Sequence, residues 1–390
     1  MVKVAVVVPS FSRVLPSDPE CIARGLAEAG AEVHVYTTRS SSGRDADYLG
    51  LPVRDLRDSP FEIHWCRHLG VVRQFVVSLP PSPPLDSSFQ GAIIFEDYPM
   101  LSRQAARQLA HASVPVVLAV ERCYYPSDRL ARSALGFVDR ALAPRLWRRA
   151  EAIACHSRES MRFYTNLGAP RERLAYLPGC IDAEYFRRES ALANGHVRTA
   201  RDPPTIVCVA RLHPYKGIPV LLEAAAGLRA RGRDFRLRII GRGPMEAEYR
   251  GLATRLGLGA WVSFEPTPIP NPAMPAVLGA ADIYVQPSLI EPFGRAAAEA
   301  MASRLPVVAS AVGGLRDTVS DGETGALVAP GDAGGLARAL ETLAEDPELA
   351  RRMGRSGQAR AIERLDYRRV ARWYLDRFSG RGPRAPGLAS

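Results

Sequence analysis

Short apolar runs alternate with amphipathic stretches along nearly the whole chain. Strand candidates in the first half are "VKVAVVVP" (2–9), "EVHVYTT" (32–38), "GAIIFED" (91–97), "VPVVLAV" (114–120) and "AEAIACHS" (150–157). Several lack any polar face, as strands buried on both sides do. Between them, "PECIARGLAEAG" (19–30) carries apolar residues at helical spacing and stops at Gly30. From 45 to 90 the pattern is illegible, and the proline-rich "SLPPSPPLDSS" (78–88) reads as a loop. The polar stretch "RRESALANGHVRTARDPP" (187–204) breaks the alternation without apolar periodicity and closes on two prolines. After it come "TIVCVA", "FRLRIIG", "WVSFEP", "ADIYVQPS", "LPVVAS" and "GALVAP", then a helical segment over 347–378. Strand-then-helix repetition predicts an α/β protein with two doubly wound parallel-sheet domains. The expected division is 1–186, a linker at 187–204, and 205–357, with a disordered tail at 381–390.

A length of 390 residues suits two domains, and 47% hydrophobic with 24% charged residues is the balance of a soluble globular protein. No stretch approaches the ~20 apolar residues of a membrane span. The opening run ends at Pro9 without a cleavage-site pattern, so it reads as a buried strand, not a signal peptide. Six cysteines are scattered without a CxxC pair, which points to a reducing cytoplasm. The seven histidines also lack ligand spacing; His64 and His68 could share a helix face, but no further ligand is near in sequence. No metal is therefore expected. The net charge of +10 invites a nucleic-acid partner. Arginines mixed with glutamates, with no basic tail and no basic-aromatic stripe, argue against one. A phosphate-bearing small substrate or an anionic membrane surface would use the same charge.

Ligands of doubly wound sheets bind at the carboxyl ends of the strands. After "TIVCVA", Arg211 and Lys216 leave the strand end in "RLHPYKG", a fork and a point charge suited to a diphosphate. After "FRLRIIG", Gly241 and Gly243 let backbone approach a ligand, though the full dinucleotide glycine pattern is missing. After "ADIYVQPS" comes "EPFGRAAAEA", with a helix expected from Gly294, whose N-terminus favours an anion. Glu291 and Glu299 would then lie roughly 8–12 Å apart, the reach of a nucleotide sugar from hexose to ribose. Carboxylates suit the vicinal hydroxyls of both sugars. The ordinary alternatives are a capping carboxylate for Glu291 and a surface acid for Glu299.

The array "ARLHPYKG", "GRGPMEAEY" and "EPFGRAAAEAMASRLPVVASAVGGLRDTVSDGETGALVAPGD" resembles the donor domain of family-four retaining glycosyltransferases of the two-Rossmann GT-B type. The likeness covers about residues 205–345, and "AEAIACHSRESMRFYTNLGAPRERLAYLPGCIDAEYF" resembles the segment before the family's linker, with Asp182 matching an altered turn. The resemblance implies that Arg211 and Lys216 hold the donor diphosphate, Glu299 the ribose and Glu291 the hexose. Phe293, Gly294 and Arg295 would line sugar and phosphates largely through backbone, with Gly313 and Gly314 in the next loop. It also implies a final helix, 358–378, returning to the N-terminal domain.

The N-terminal half departs from the family. Its first loop, "PSFSRVLPSDPE", has no glycine pair, and Glu121 stands where a histidine is usual, with Glu96 and Asp97 in another altered segment. Glu121 could hold an acceptor hydroxyl, bind a cationic group, stabilise charge on the reacting sugar, or merely cap a loop. The expected activity is retaining transfer of a hexose from a nucleotide sugar, needing no cofactor and no metal. Loops 10–18, 96–100 and 121–129 would receive the acceptor. An epimerase or phosphorylase-like enzyme on the same scaffold, or a donor-binding protein that has lost transfer, are the alternatives. Acceptors compatible with the chain are a sugar, an aminocyclitol, a glycan or a lipid. Acids at 96, 97, 121 and 128 favour a cationic or polyhydroxylated one, while Arg145, Trp147, Arg148 and Arg149 would suit peripheral contact with the inner membrane face.

Overall fold

From Val4 to Val8 every residue of β1 (Lys3–Val8) is buried, the consequence of a central parallel strand covered by helices on both faces. In the computed structural model, residues 1–9, 18–38, 59–72, 75–96, 99–124, 129–193, 202–265 and 271–381 are described. The remaining first-half strands are β2 (Glu32–Thr38), β3 (Glu62–Cys66), β4 (His68–Val72), β5 (Phe75–Ser78), β6 (Gly91–Phe95), β7 (Val116–Val120), β8 (Ala152–Cys155) and β9 (Leu174–Tyr176). A seven-stranded parallel sheet runs β3-β2-β1-β6-β7-β8-β9, and β4 with β5 forms a separate antiparallel pair. The three strands β3 to β5 lie in the region whose pattern was illegible. In β3 only Cys66 is buried, so a hydrophobic signal is weak there.

The second half contributes β10 (Thr205–Val209), β11 (Arg236–Ile240), β12 (Val262–Glu265), β13 (Ile283–Gln286), β14 (Val307–Ser310) and β15 (Gly325–Val328). They form one six-stranded sheet in the order β12-β11-β10-β13-β14-β15, parallel throughout. In both sheets the order reverses beside the first strand, the switch point at which doubly wound folds bind ligands.

The described residues divide into two compact units, one running to Cys180 and resuming at Tyr367, the other Ile181–Asp366. This corrects the expected boundaries. Residues 183–186, placed in the first domain, and 187–193, placed in the linker, form one helix, Ala183–Ala193, in the second unit. Ile181, Ala183 and Phe186 are buried there among Ala297, Met301 and Leu365. Its apolar contacts come from the first turn, so the polar remainder hid the helix. Asp182 caps it, accepting the Tyr185 N–H at 3.2 Å.

The C-terminal helical segment is likewise two helices. Pro347–Leu365 stays with the second unit, and only Tyr367–Phe378 belongs to the first. Asp366 is extended (φ −69°, ψ 132°), which breaks the helix. Tyr367–Phe378 packs on the helix Asp18–Glu28, where a Cβ on Gly25 would lie 2.7 Å from the Ala371 Cβ. Returning residues are thus 367–378, not 358–378. Of the expected tail, only Arg381 falls within the described residues.

Candidate functional site

Four loops meet at the carboxyl edge of the second sheet, and hydrogen bonds between their backbones fix them. The Leu212 N–H donates to the Arg242 carbonyl at 2.8 Å, and the Met245 N–H to the Leu212 carbonyl at 3.2 Å. Leu289 and Ile290 both donate to the Tyr215 carbonyl, and Gly314 donates to that of Glu291 at 2.9 Å. Glycine is required at two of these approaches. Gly241 has φ +142°, and a Cβ there would lie 2.0 Å from the Ala210 carbonyl oxygen. A Cβ on Gly313 (φ +48°) would lie 1.9 Å from the Glu291 carbonyl oxygen. Gly243 sits equally tightly against Leu212.

At the centre is Glu291, a buried carboxylate. Its Oε2 accepts three hydrogen bonds: from Lys216 Nζ at 2.6 Å, Gln286 Nε2 at 2.5 Å and Ser288 Oγ at 3.1 Å. Gln286 in turn accepts from the buried Tyr284 hydroxyl at 3.2 Å. Burial first, then the charges of Cys208, Glu291 and Glu299, push that hydroxyl well above the usual tyrosine range. It is therefore a fixed donor, and both glutamates act on the same buried group. Burial also pushes the Cys208 thiol up to about 12, against the opposing pull of Lys216.

The structure thus brings Lys216 and Glu291 together as a pair. Arg211 is exposed beside them, its Nη2 donating to the Tyr215 hydroxyl at 2.6 Å. Gly294 (φ +92°) precedes the helix Arg295–Ala302, in which Arg295 and Glu299 are 3.8 Å apart one turn on. The Phe293 ring is buried in the core, and its carbonyl accepts from Thr318, so this residue offers the site no side chain. Gln286, Ser288, Tyr284 and Tyr215 were not singled out from the sequence. The available signal was Gln286, a lone amide ending an otherwise apolar strand.

In the first unit Glu96 and Glu121 come together at the carboxyl ends of β6 and β7, where the Glu121 N–H donates to Glu96 Oε1 at 3.2 Å. Glu96 has φ +60°, a left-handed conformation uncommon for a glutamate. The next residue, Arg122, is buried and forked onto Asp139 at 3.1 and 2.5 Å, which pins the base of this loop while Glu121 stays exposed. Asp97, Asp128 and the loop 10–17 lie outside the described residues. Trp147 is fully buried beside Tyr164, so it packs the core and is not presented to a membrane. Among the described residues no helix is long and apolar enough to cross a membrane.

Two units, each built on a doubly wound parallel sheet, are the architecture of GT-B glycosyltransferases. The chain belongs to the glycosyl transferases group 1 family, whose model matches residues 195–360, and a glycosyl transferase 4-like domain matches residues 20–180. It is 31% identical over 253 residues to a GDP-mannose-dependent alpha-(1-6)-phosphatidylinositol monomannoside mannosyltransferase of Mycolicibacterium smegmatis, covering 63% of this chain and 66% of that protein. It is 32% identical over 236 residues to a 2-deoxystreptamine glucosyltransferase of Streptomyces kanamyceticus, covering 59% of each. The chain spans about half to two thirds of the length of the curated relatives it matches. Among solved structures, Anabaena HepE in complex with UDP and glucose has the same fold, at TM-score 0.69 and 20% identity, covering 97% of this chain and 100% of that one.

Proposed function

We propose that the protein is a retaining glycosyltransferase that moves a hexose from a nucleoside diphosphate sugar to a hydroxyl of a polyhydroxylated acceptor, without a metal at the donor site. The reading rests on the asymmetry of Glu291. All three of its hydrogen-bond donors, one of them Lys216, converge on Oε2, and no side chain among the described residues donates to Oε1. That leaves one oriented acceptor oxygen for a sugar hydroxyl. Lys216 keeps two further N–H donors for phosphate oxygens, and Arg211 supplies a second cation from the same loop. Glu299, behind the helix start, takes the ribose.

In the step itself the bond from the anomeric carbon to the β-phosphate oxygen breaks and the acceptor oxygen bonds to that carbon on the same face. The acceptor proton passes to the departing phosphate oxygen, so no protein base is needed. Lys216 and Arg211 stabilise the charge developing on the diphosphate, the main catalytic contribution. Glu96 and Glu121 are the acceptor-side acids. The names of two relatives contain phosphatidylinositol monomannoside and 2-deoxystreptamine, both of which present several ring hydroxyls, which supports that acceptor class.

The test is calorimetric titration with UDP, GDP, ADP and dTDP in chelator-treated buffer, beside Glu299→Ala. One nucleotide binding tightly to the native protein and not to the variant supports the donor site; binding by none refutes it. The anomeric configuration of the product, read by NMR, then decides retention.

A further inference from the structure

The chain order of the histidines gives no ligand spacing, but the parallel pairing of β2 with β3 brings two of them together. His34 lies opposite Glu62 and Tyr36 opposite His64 in that register, so all four share one face. His34 Nδ1 is 2.9 Å from His64 Nε2 and 3.3 Å from Glu62 Oε2, and Glu62 Oε1 is 3.6 Å from His64 Nε2. We propose that His34 Nδ1, His64 Nε2 and the Glu62 carboxylate form a binding site for a divalent transition-metal ion of the Zn²⁺ type that clamps the edge strand β3 onto β2.

Three observations support it. The first is spacing: bonds of 2.0–2.1 Å at tetrahedral angles put neighbouring ligand atoms about 3.3 Å apart. The three separations bracket that value. The second is the tautomer of His34. Its Nε2 is 2.8 Å from Glu32 Oε1, and the tautomer that donates there has its Nδ1 lone pair on the side of His64. A carboxylate behind a histidine is the outer-shell arrangement that orients metal-ligating imidazoles.

The third observation is the chemistry of the cluster. The Glu62 oxygen 3.3 Å from His34 Nδ1 adds a carboxylate to the two imidazole nitrogens, a donor set that suits a divalent ion of this type. The rings are fixed in place, His64 stacked on Tyr36 at 4.6 Å and His34 edge-on to Phe89 at 5.5 Å. Glu62 is exposed, which gives an entry path and room for a water as fourth ligand. Lys3 is the opposing charge, paired with the outer carboxylate of Glu32 at 3.2 Å. The cluster lies away from the carboxyl edge that carries Glu96 and Glu121. Its role is therefore to hold an edge strand, not to act on substrate, and it is independent of the metal-free donor site proposed above.

The test is titration of the tag-free, chelator-treated full-length protein with Zn²⁺ by calorimetry and with Co²⁺ by visible absorption. The expected result is one saturating equivalent and a tetrahedral Co²⁺ spectrum, both lost in His64→Gln. Glu32→Gln should weaken binding about 10–100-fold by its effect on His34 alone. Glu62→Gln changes only an exposed side chain, so its folding is not in question, and it should weaken binding at least tenfold. A stoichiometry and affinity unchanged in Glu62→Gln and His64→Gln, or no saturable binding to the native protein, would leave a plain histidine–glutamate hydrogen-bond network and overturn the proposal.

Discussion

Lys216 Nζ and Glu291 Oε2 are 2.6 Å apart, and both side chains are largely shielded from water. They come from loops after different strands, 75 positions apart in sequence. An ion pair this shielded is strongly coupled to its surroundings, so removing one partner costs more than the pair contributes. Lys216→Met should lower unfolding stability by about 3 kcal/mol in urea melts and abolish transfer. The double variant Lys216→Met/Glu291→Gln should recover most of the stability and none of the activity. Equal stability of the two variants would show that the pair is not a buried unit.

Gln286 touches the proposed substrate only through Glu291. Gln286→Leu should therefore lower kcat for sugar transfer by roughly tenfold, about 1.4 kcal/mol of lost orientation. Its affinity for the free nucleoside diphosphate should be unchanged. A matched loss of nucleotide affinity would place Gln286 in direct contact with the nucleotide instead.

Two glycines with positive φ separate conformational strain from steric exclusion. Gly322 (φ +74°) has nothing within 4 Å of a built Cβ, whereas Gly313 (φ +48°) faces the Glu291 carbonyl at 1.9 Å. Gly322→Ala should cost only about 1 kcal/mol, the strain of a left-handed alanine. Gly313→Ala must push the Glu291 loop aside, so it should cost at least twice that and also weaken nucleotide-sugar binding in titrations.

Asp139→Ala would leave the Arg122 guanidinium buried without its carboxylate and should destabilise the protein by about 3–5 kcal/mol. The adjacent Glu121→Gln, exposed, should leave the melting temperature within a degree or two while raising the acceptor KM. Thermal melts with steady-state kinetics distinguish the two neighbours.

Of the six cysteines, none in a disulfide, only Cys123 is not buried. Ellman's reagent should find one fast thiol in the native protein, lost in Cys123→Ser. Cys208, fully buried and pushed up to about 12, should react only on unfolding.

The sequence by itself determined the two parallel sheets, because a strand buried on both faces must be apolar along its length and the chain supplies those runs locally. It also placed Arg211, Lys216, Glu291 and Gly294 in loops after strand ends, since the carboxyl edge is where each run stops, and Glu299 in the helix that follows. What it could not determine were relations between residues distant in the chain. β3 was illegible because an edge strand with one covered face needs few apolar residues, and the helix Ala183–Ala193 because its buried apolar residues come from its first turn alone. Only tertiary structure decided that Lys216 would meet Glu291, that Gln286 and Ser288 would share its oxygen, and that strand register would place His34 against His64. Hydrophobic periodicity is a local property of a segment, whereas the pairing of polar side chains is set by which strands lie side by side and in what register.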